Sequence, residues 1–196
     1  MQLYKQYKMK KLILVLLLTG LMIPFVKAQN GRIPAIDKSP MDMSYYPANY
    51  PILKIQDKVT EPVLARVIYS RPQKNGRTIF GELVEFGSVW RLGANEATEL
   101  ELFKDARIGT TKVKKGRYTL YAIPQMDKWT IIINRDTDTW GAFKYDPKKD
   151  VVRIDIKIET QSESIESFTL FFEKSGANVN LNIYWDNYRA VLPFVF

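Results

Sequence analysis

Apolar residues recur at every second position through most of the chain beyond Val63, and that period leaves few architectures open. Val152, Ile154, Ile156 and Ile158 alternate with Arg153, Asp155, Lys157 and Glu159. Val179, Leu181, Ile183 and Trp185 alternate with Asn178, Asn180, Asn182 and Tyr184. Phe168, Leu170 and Phe172 form a further row, as do Tyr118, Leu120 and Ala122; Trp129, Ile131 and Ile133; and Leu100 with Leu102. Successive side chains of an extended strand point to opposite faces, so each run predicts a strand with one apolar face.

Turn-forming pairs fall between these runs: Lys115-Gly116, Gln125 to Asp127, Asp146-Pro147, Ser175-Gly176 and Asp186-Asn187. The last two are expected to be hairpin loops. Helical turns are expected only around Thr78 to Phe86 and Thr137 to Phe143. Seven or more amphipathic strands must close their apolar faces against a partner sheet. The prediction is an all-β fold, an antiparallel β-sandwich, with a jelly-roll-like arrangement as one topology.

The head of the chain reads differently. Lys5, Lys8, Lys10 and Lys11 precede an apolar stretch from Leu12 to Val26, and Val26-Lys27-Ala28 places small residues around a cleavage point. This is the order of a secretory signal peptide, over residues 1–28. The stretch is shorter than the ~18 residues that span a bilayer, so no membrane span is expected after cleavage. A periplasmic or secreted, soluble product follows, and Met9 is a second candidate start. Residues 29–56 carry Pro34, Pro40, Pro47 and Pro51 without either period, which predicts an extended arm. Met41, Met43, Tyr45, Tyr46 and Tyr50 favour packing of that arm on the body, a β-sandwich over 57–196.

Charge and residue types then exclude several functions. The chain has 29 Lys+Arg against 21 Asp+Glu, net +8, but five of those lysines lie in 1–28. The remainder alternates in sign and forms no basic cluster, so nucleic acid is set aside as a partner. With no His and no Cys there is no Ser-His-Asp or Cys-His nucleophile and neither usual zinc ligand. No acidic calcium loop is present, no lipid-anchoring cysteine exists, and no cofactor is expected.

One segment breaks the alternation: Val89-Trp90-Arg91-Leu92-Gly93-Ala94-Asn95-Glu96-Ala97-Thr98. Gly93 and Asn95 tolerate positive φ, so the backbone is expected to bend there and re-aim its side chains. Tyr69-Ser70-Arg71-Pro72, followed by Arg77, ends the first strand with polar groups. Arg71, Arg77, Trp90, Arg91, Asn95 and Glu96 together are the candidate site for a small polar ligand such as a carbohydrate. Trp90 would give a stacking face, and the arginine forks would grip carboxylate or hydroxyl groups. A structural account competes: Arg91 pairing with Glu96, Asn95 bonding its own backbone, and Arg71 and Arg77 capping a sheet edge. A third reading is a glycosidase-like hydrolase using Glu96 with Asp42, Glu82 or Glu85. A fourth is an envelope structural module without a ligand. Trp140-Gly141-Ala142-Phe143 with Tyr145 is expected to plug an end of the sandwich.

The same residues carry a resemblance. Ser70-Arg71-Pro72, Gly76-Arg77, Ile79-Phe80-Gly81, the decapeptide Val89 to Thr98, Ile123-Pro124, Trp129-Thr130 and Trp140 to Phe143 resemble domain-of-unknown-function family two-nine-one-one. The likeness runs from about Ser39 to Pro193. It implies an exported all-β domain of Bacteroidetes type and carries over no activity, ligand or catalytic residue.

Overall fold

The computed structural model describes residues 33–196. The expected signal peptide, 1–28, lies outside them. Among the described residues no helix is long and apolar enough to cross a membrane.

The body, Ile36–Phe196, is all-β. Its strands are β1 (Met41–Tyr46), β2 (Ala65–Ser70), β3 (Glu99–Leu102), β4 (Ala106–Ile108), β5 (Thr111–Val113), β6 (Gly116–Pro124), β7 (Lys128–Asn134), β8 (Asp150–Ser175) and β9 (Asn178–Phe194). A short helix, α1 (Tyr50–Ile55), follows β1. Seven strands form one antiparallel sheet in the order β1-β2-β3-β6-β7-β8-β9, and β4 and β5 form a separate ribbon. The nearly sequential order is that of a meander, without the crossovers of a jelly roll.

One sheet closes its apolar face by curling, and the length of β8 makes this possible. Its first part pairs with β7, from Ile156 opposite Trp129 to Val152 opposite Ile133. Beyond an irregularity between Thr160 and Thr169, its second part pairs with β9 as far as Ser175 opposite Asn178. That second part returns to the start of the sheet. Phe168 N donates to Pro72 O (3.0 Å), Lys74 N to Glu166 O (2.8 Å), and Phe172 N to Ser44 Oγ (3.1 Å). The two ends of the sheet therefore face each other across a shared core, as the halves of a sandwich do.

The predicted inward rows fill that core. Leu100, Leu120, Ala122, Trp129, Ile131, Ile133, Phe168, Leu181 and Ile183 are fully buried. Each large apolar side chain removed from water stabilises the fold by roughly 1.5–3 kcal/mol. Ser175-Gly176 forms the expected hairpin between β8 and β9, with Gly176 at φ 59. Asp186-Asn187 does not turn the chain. Asp186 adopts φ 52 within β9, opposite Ile165, and bends the strand where its pairing with β8 shifts register.

The segment around Met41 also departs from expectation. Met41–Tyr46 is a strand paired residue by residue with β2, from Met41 opposite Ser70 to Tyr46 opposite Ala65. Its polar side faces inward, since Asp42 and Ser44 find partners there, while Met41 and Met43 stay 52% exposed. The helical turn of this region is α1, beginning after Asn49 at φ 58.

Candidate functional site

The decapeptide leaves the sheet as a loop between two anchors on β6. Trp90 N donates to Ala122 O (2.7 Å) and Ala122 N to Trp90 O (2.9 Å), while Leu120 N donates to Thr98 O (2.8 Å). The backbone between Trp90 and Thr98 therefore loops off β6, with Leu92 directed back into the core. Leu92 (φ 53), Gly93 (φ 149) and Asn95 (φ 58) provide the bend, the last two as expected. A left-handed leucine is strained by about 1–2 kcal/mol. Its complete burial, the bond from Thr98 Oγ1 to its carbonyl, and the bond from Thr98 N to Arg91 O (3.1 Å) offset that strain. Gly93 packs close to the end of β2, where an added Cβ would stand 3.1 Å from Ser70 O.

The six predicted residues, two of them outside this loop, fall in four settings. Trp90 is 6% exposed and belongs to the core. It stacks on Trp185 (5.8 Å, 19°), meets Phe80, Trp129 and Phe168 edge-on, and donates from Nε1 to Gly93 O (3.1 Å). Only its rim is left to line a cavity, so it offers no free stacking face. Arg71 is fully engaged in the seam of the curl: Nη1 donates to Asp42 Oδ2 (3.0 Å), Nε to Phe168 O (3.2 Å) and Nη2 to Thr169 Oγ1 (2.9 Å). It acts as a clamp among β1, β2 and β8.

Arg91, Arg77 and the edge of Trp90 meet at a cleft of about 170 Å³, lined also by Ser39, Gly93 and Ala94. A second cleft, about 200 Å³, shares Trp90 and Arg91 and includes Glu85. Arg77 is held in place by its Nε bond to Lys74 O (2.9 Å) and an Nη2 bond to Gln73 O (2.5 Å). Arg91 is different. It enters none of the ion pairs among the described residues, and its Nε is buried without a hydrogen-bond partner. Burial lowers its pKa, yet an arginine stays charged under ordinary conditions. A desolvated cation with no counter-charge is costly unless something else supplies one.

Asn95 and Glu96 belong to a fourth setting and line neither cleft. Gly141 N donates to Asn95 O (2.9 Å), Ala97 N donates to Thr139 O (3.0 Å), and Glu96 bridges Trp140. Glu96 is exposed. The expected pairing of Arg91 with Glu96 is absent, because the bend separates the two ends of the segment. Asp42, one possible carboxylate partner for Glu96, is taken up by Arg71.

The aromatic loop 140–143 does not plug the core. Trp140 is 61% exposed and Phe143 85%. Tyr145 is the residue that turns inward: it meets Tyr121 edge-on at 5.2 Å and donates to Asp150 Oδ2 (2.6 Å). Burial, aided by Asp150, pushes its hydroxyl up to about 12.

Sequence reasoning missed Ser39, Leu83 and Val84 as cleft residues. Gly93-Ala94, two small residues beside an arginine, was the available signal for open space there.

Residues 51–194 match the family described as "Protein of unknown function (DUF2911)". The chain belongs to this family. The match covers the sheet from β2 to β9 and the whole decapeptide, while β1 precedes it. No curated protein matches the chain, and no solved structure does.

Proposed function

We propose that this DUF2911 chain is an exported binding protein that holds a small oxyanion, a carboxylate or phosphate, in the cleft beside Arg91. The observation that carries this reading is the half-buried Arg91 guanidinium, whose Nε has no partner, opening onto a cleft lined by a second arginine and by no acid. An anion there would give Arg91 the counter-charge that the fold withholds, through charge-assisted hydrogen bonds. Arg77 adds a second, pre-oriented cation. The cleft is smaller than the ~300–1,000 Å³ typical of drug-sized ligands, so the occupant is a compact group such as phosphate, a short-chain carboxylate or the acid group of a sugar acid. Export rests on the basic head, apolar stretch and small-residue cleavage point of 1–28.

Thermal unfolding in increasing inorganic phosphate, acetate and glucuronate tests the assignment. A ligand that binds only the folded state raises stability with the logarithm of its concentration. At least one of these anions is expected to stabilise the wild type and to leave Arg91→Met unaffected. Equal responses from both proteins, or none from either, would remove the basis for the proposal.

A further inference from the structure

We infer that the loop carrying Trp140 and Phe143 is a second binding site, for an uncharged saccharide. Both rings line a pocket of about 390 Å³, within the ~300–1,000 Å³ range of small-ligand sites. Its wall includes Tyr121, Thr139, Asp136 and Lys144.

Two large aromatic rings left in water are unfavourable unless they have a use, since each removes a large apolar area when covered. Here they stand on a backbone that is fixed. Gly141 N is bonded to Asn95 O (2.9 Å), Ala97 N to Thr139 O (3.0 Å), and Tyr145 N to Ala142 O (3.2 Å). Gly141 sits at φ 67 with the Phe143 ring over it, so close that a Cβ would lie 2.6 Å from that ring. The loop is shaped to hold Phe143 outward. At its start, Asp138 (φ 57) is bound by Arg117 and Thr137. Rings on a pinned loop lose little conformational freedom when a ligand covers them.

The polar groups around the rings decide the ligand class. The carboxylates already have cations: Asp138 is paired with Arg117 (2.7 Å) and Asp136 with Lys149 (2.9 Å). The lining itself holds Asp136, Asp138 and Lys144, and both carboxylates are paired with cations from outside it, so no bare acid faces a ligand. Thr139 Oγ1 shares a hydrogen bond with Tyr121 OH (3.2 Å), giving the wall paired hydroxyls. Aromatic faces beside hydrogen-bond acceptors and donors match a sugar ring, which offers an apolar C–H face and a rim of neutral hydroxyls. The cleft that Arg91 shares with Arg77 has no acid in its lining and favours an anion; the two sites are therefore chemically distinct.

The fluorescence of Trp140 gives a direct test on the full chain. Trp90, Trp129 and Trp185 are buried, so acrylamide quenching reports chiefly on Trp140. Maltotriose, cellotriose and tri-N-acetylchitotriose at millimolar concentration are the probes. At least one is expected to protect Trp140 from quenching, with calorimetric affinity falling roughly tenfold in Trp140→Ala and in Phe143→Ala. Arg91→Met should bind the same sugar unchanged. Each of three outcomes would overturn the assignment: protection by none of the sugars, wild-type sugar affinity in both aromatic variants, or protection by an aromatic peptide in place of a sugar. Because the exposed rings contribute little to the core, both variants should retain the wild-type unfolding temperature.

Discussion

The two ends of the decapeptide obey opposite rules. At Trp90 and Arg91 the chain is pinned into the core, and a charge is stranded beside a narrow cleft. At Asn95 and Glu96 the chain is exposed, bonded to a surface loop, and bordered by charges that are already paired. A few residues that look like one motif thus serve two environments. A sequence cluster around a bend is not a spatial cluster: the bend that re-aims side chains also divides them.

The strongest way to break this contrast is Trp90→Ala. It opens the aromatic centre shared with Phe80, Trp129, Phe168 and Trp185, and should lower stability by about 3–5 kcal/mol in denaturant unfolding. Trp140→Ala should change stability by less than about 0.5 kcal/mol. Similar losses would show that the outer end is as structural as the inner one.

Gly93→Ala comes next. At φ 149, with Ser70 O only 3.1 Å from the added methyl, the substitution should lower stability by about 1–3 kcal/mol and disturb the cleft. Anion-dependent stabilisation should fall with it, while sugar protection of Trp140 stays as in the wild type.

Arg91→Met and Arg71→Met separate a stranded cation from a bonded one. Arg71→Met leaves Asp42, Phe168 O and Thr169 short of donors and should cost about 1–3 kcal/mol. Arg91→Met should range from no change to a gain of about 1 kcal/mol, since the buried Nε loses nothing. Equal losses in chemical denaturation would mean that Arg91 has a structural partner.

The smallest effect concerns acid. Arg117, and after it Thr137, hold the Asp138 carboxyl below its ordinary value. The folded-state pKa is depressed, so its stabilising contribution is complete above the unfolded value and lost as pH falls through the folded one. Trp140 quenching should therefore rise slightly in acid below about pH 4, and Asp138→Asn should remove that rise. The cleft shared by Arg91 and Arg77 has no acid in its lining and should show no matching change.

Much of the body was legible because a half-buried strand writes its two faces into alternate residues, as Phe168, Leu170 and Phe172 do. The positive φ of Gly93 and Asn95 was legible too, from residue types that tolerate it. Met41–Tyr46 was hidden because its inward residues, Asp42 and Ser44, are polar, and their partners Arg71 and Phe172 lie far along the chain. Asp186-Asn187 has the composition of a hairpin, but its neighbours remain paired with β8, and long-range pairing overrode local preference. The division of the six candidate residues was illegible for a related reason: both ends of the decapeptide are anchored on β6, and Asn95 and Ala97 are bonded in addition to the loop around Thr139 and Gly141.

The seam that closes the curl joins Ser44 to Phe172, 128 positions apart, and Arg71 to Thr169, 98 apart. Contacts so remote in sequence delay folding, since a long loop must be ordered before they form. Synthesised from the N-terminus, β1 and β2 are complete long before their mates in β8 exist, so the curl locks only once the second half of β8 has been made.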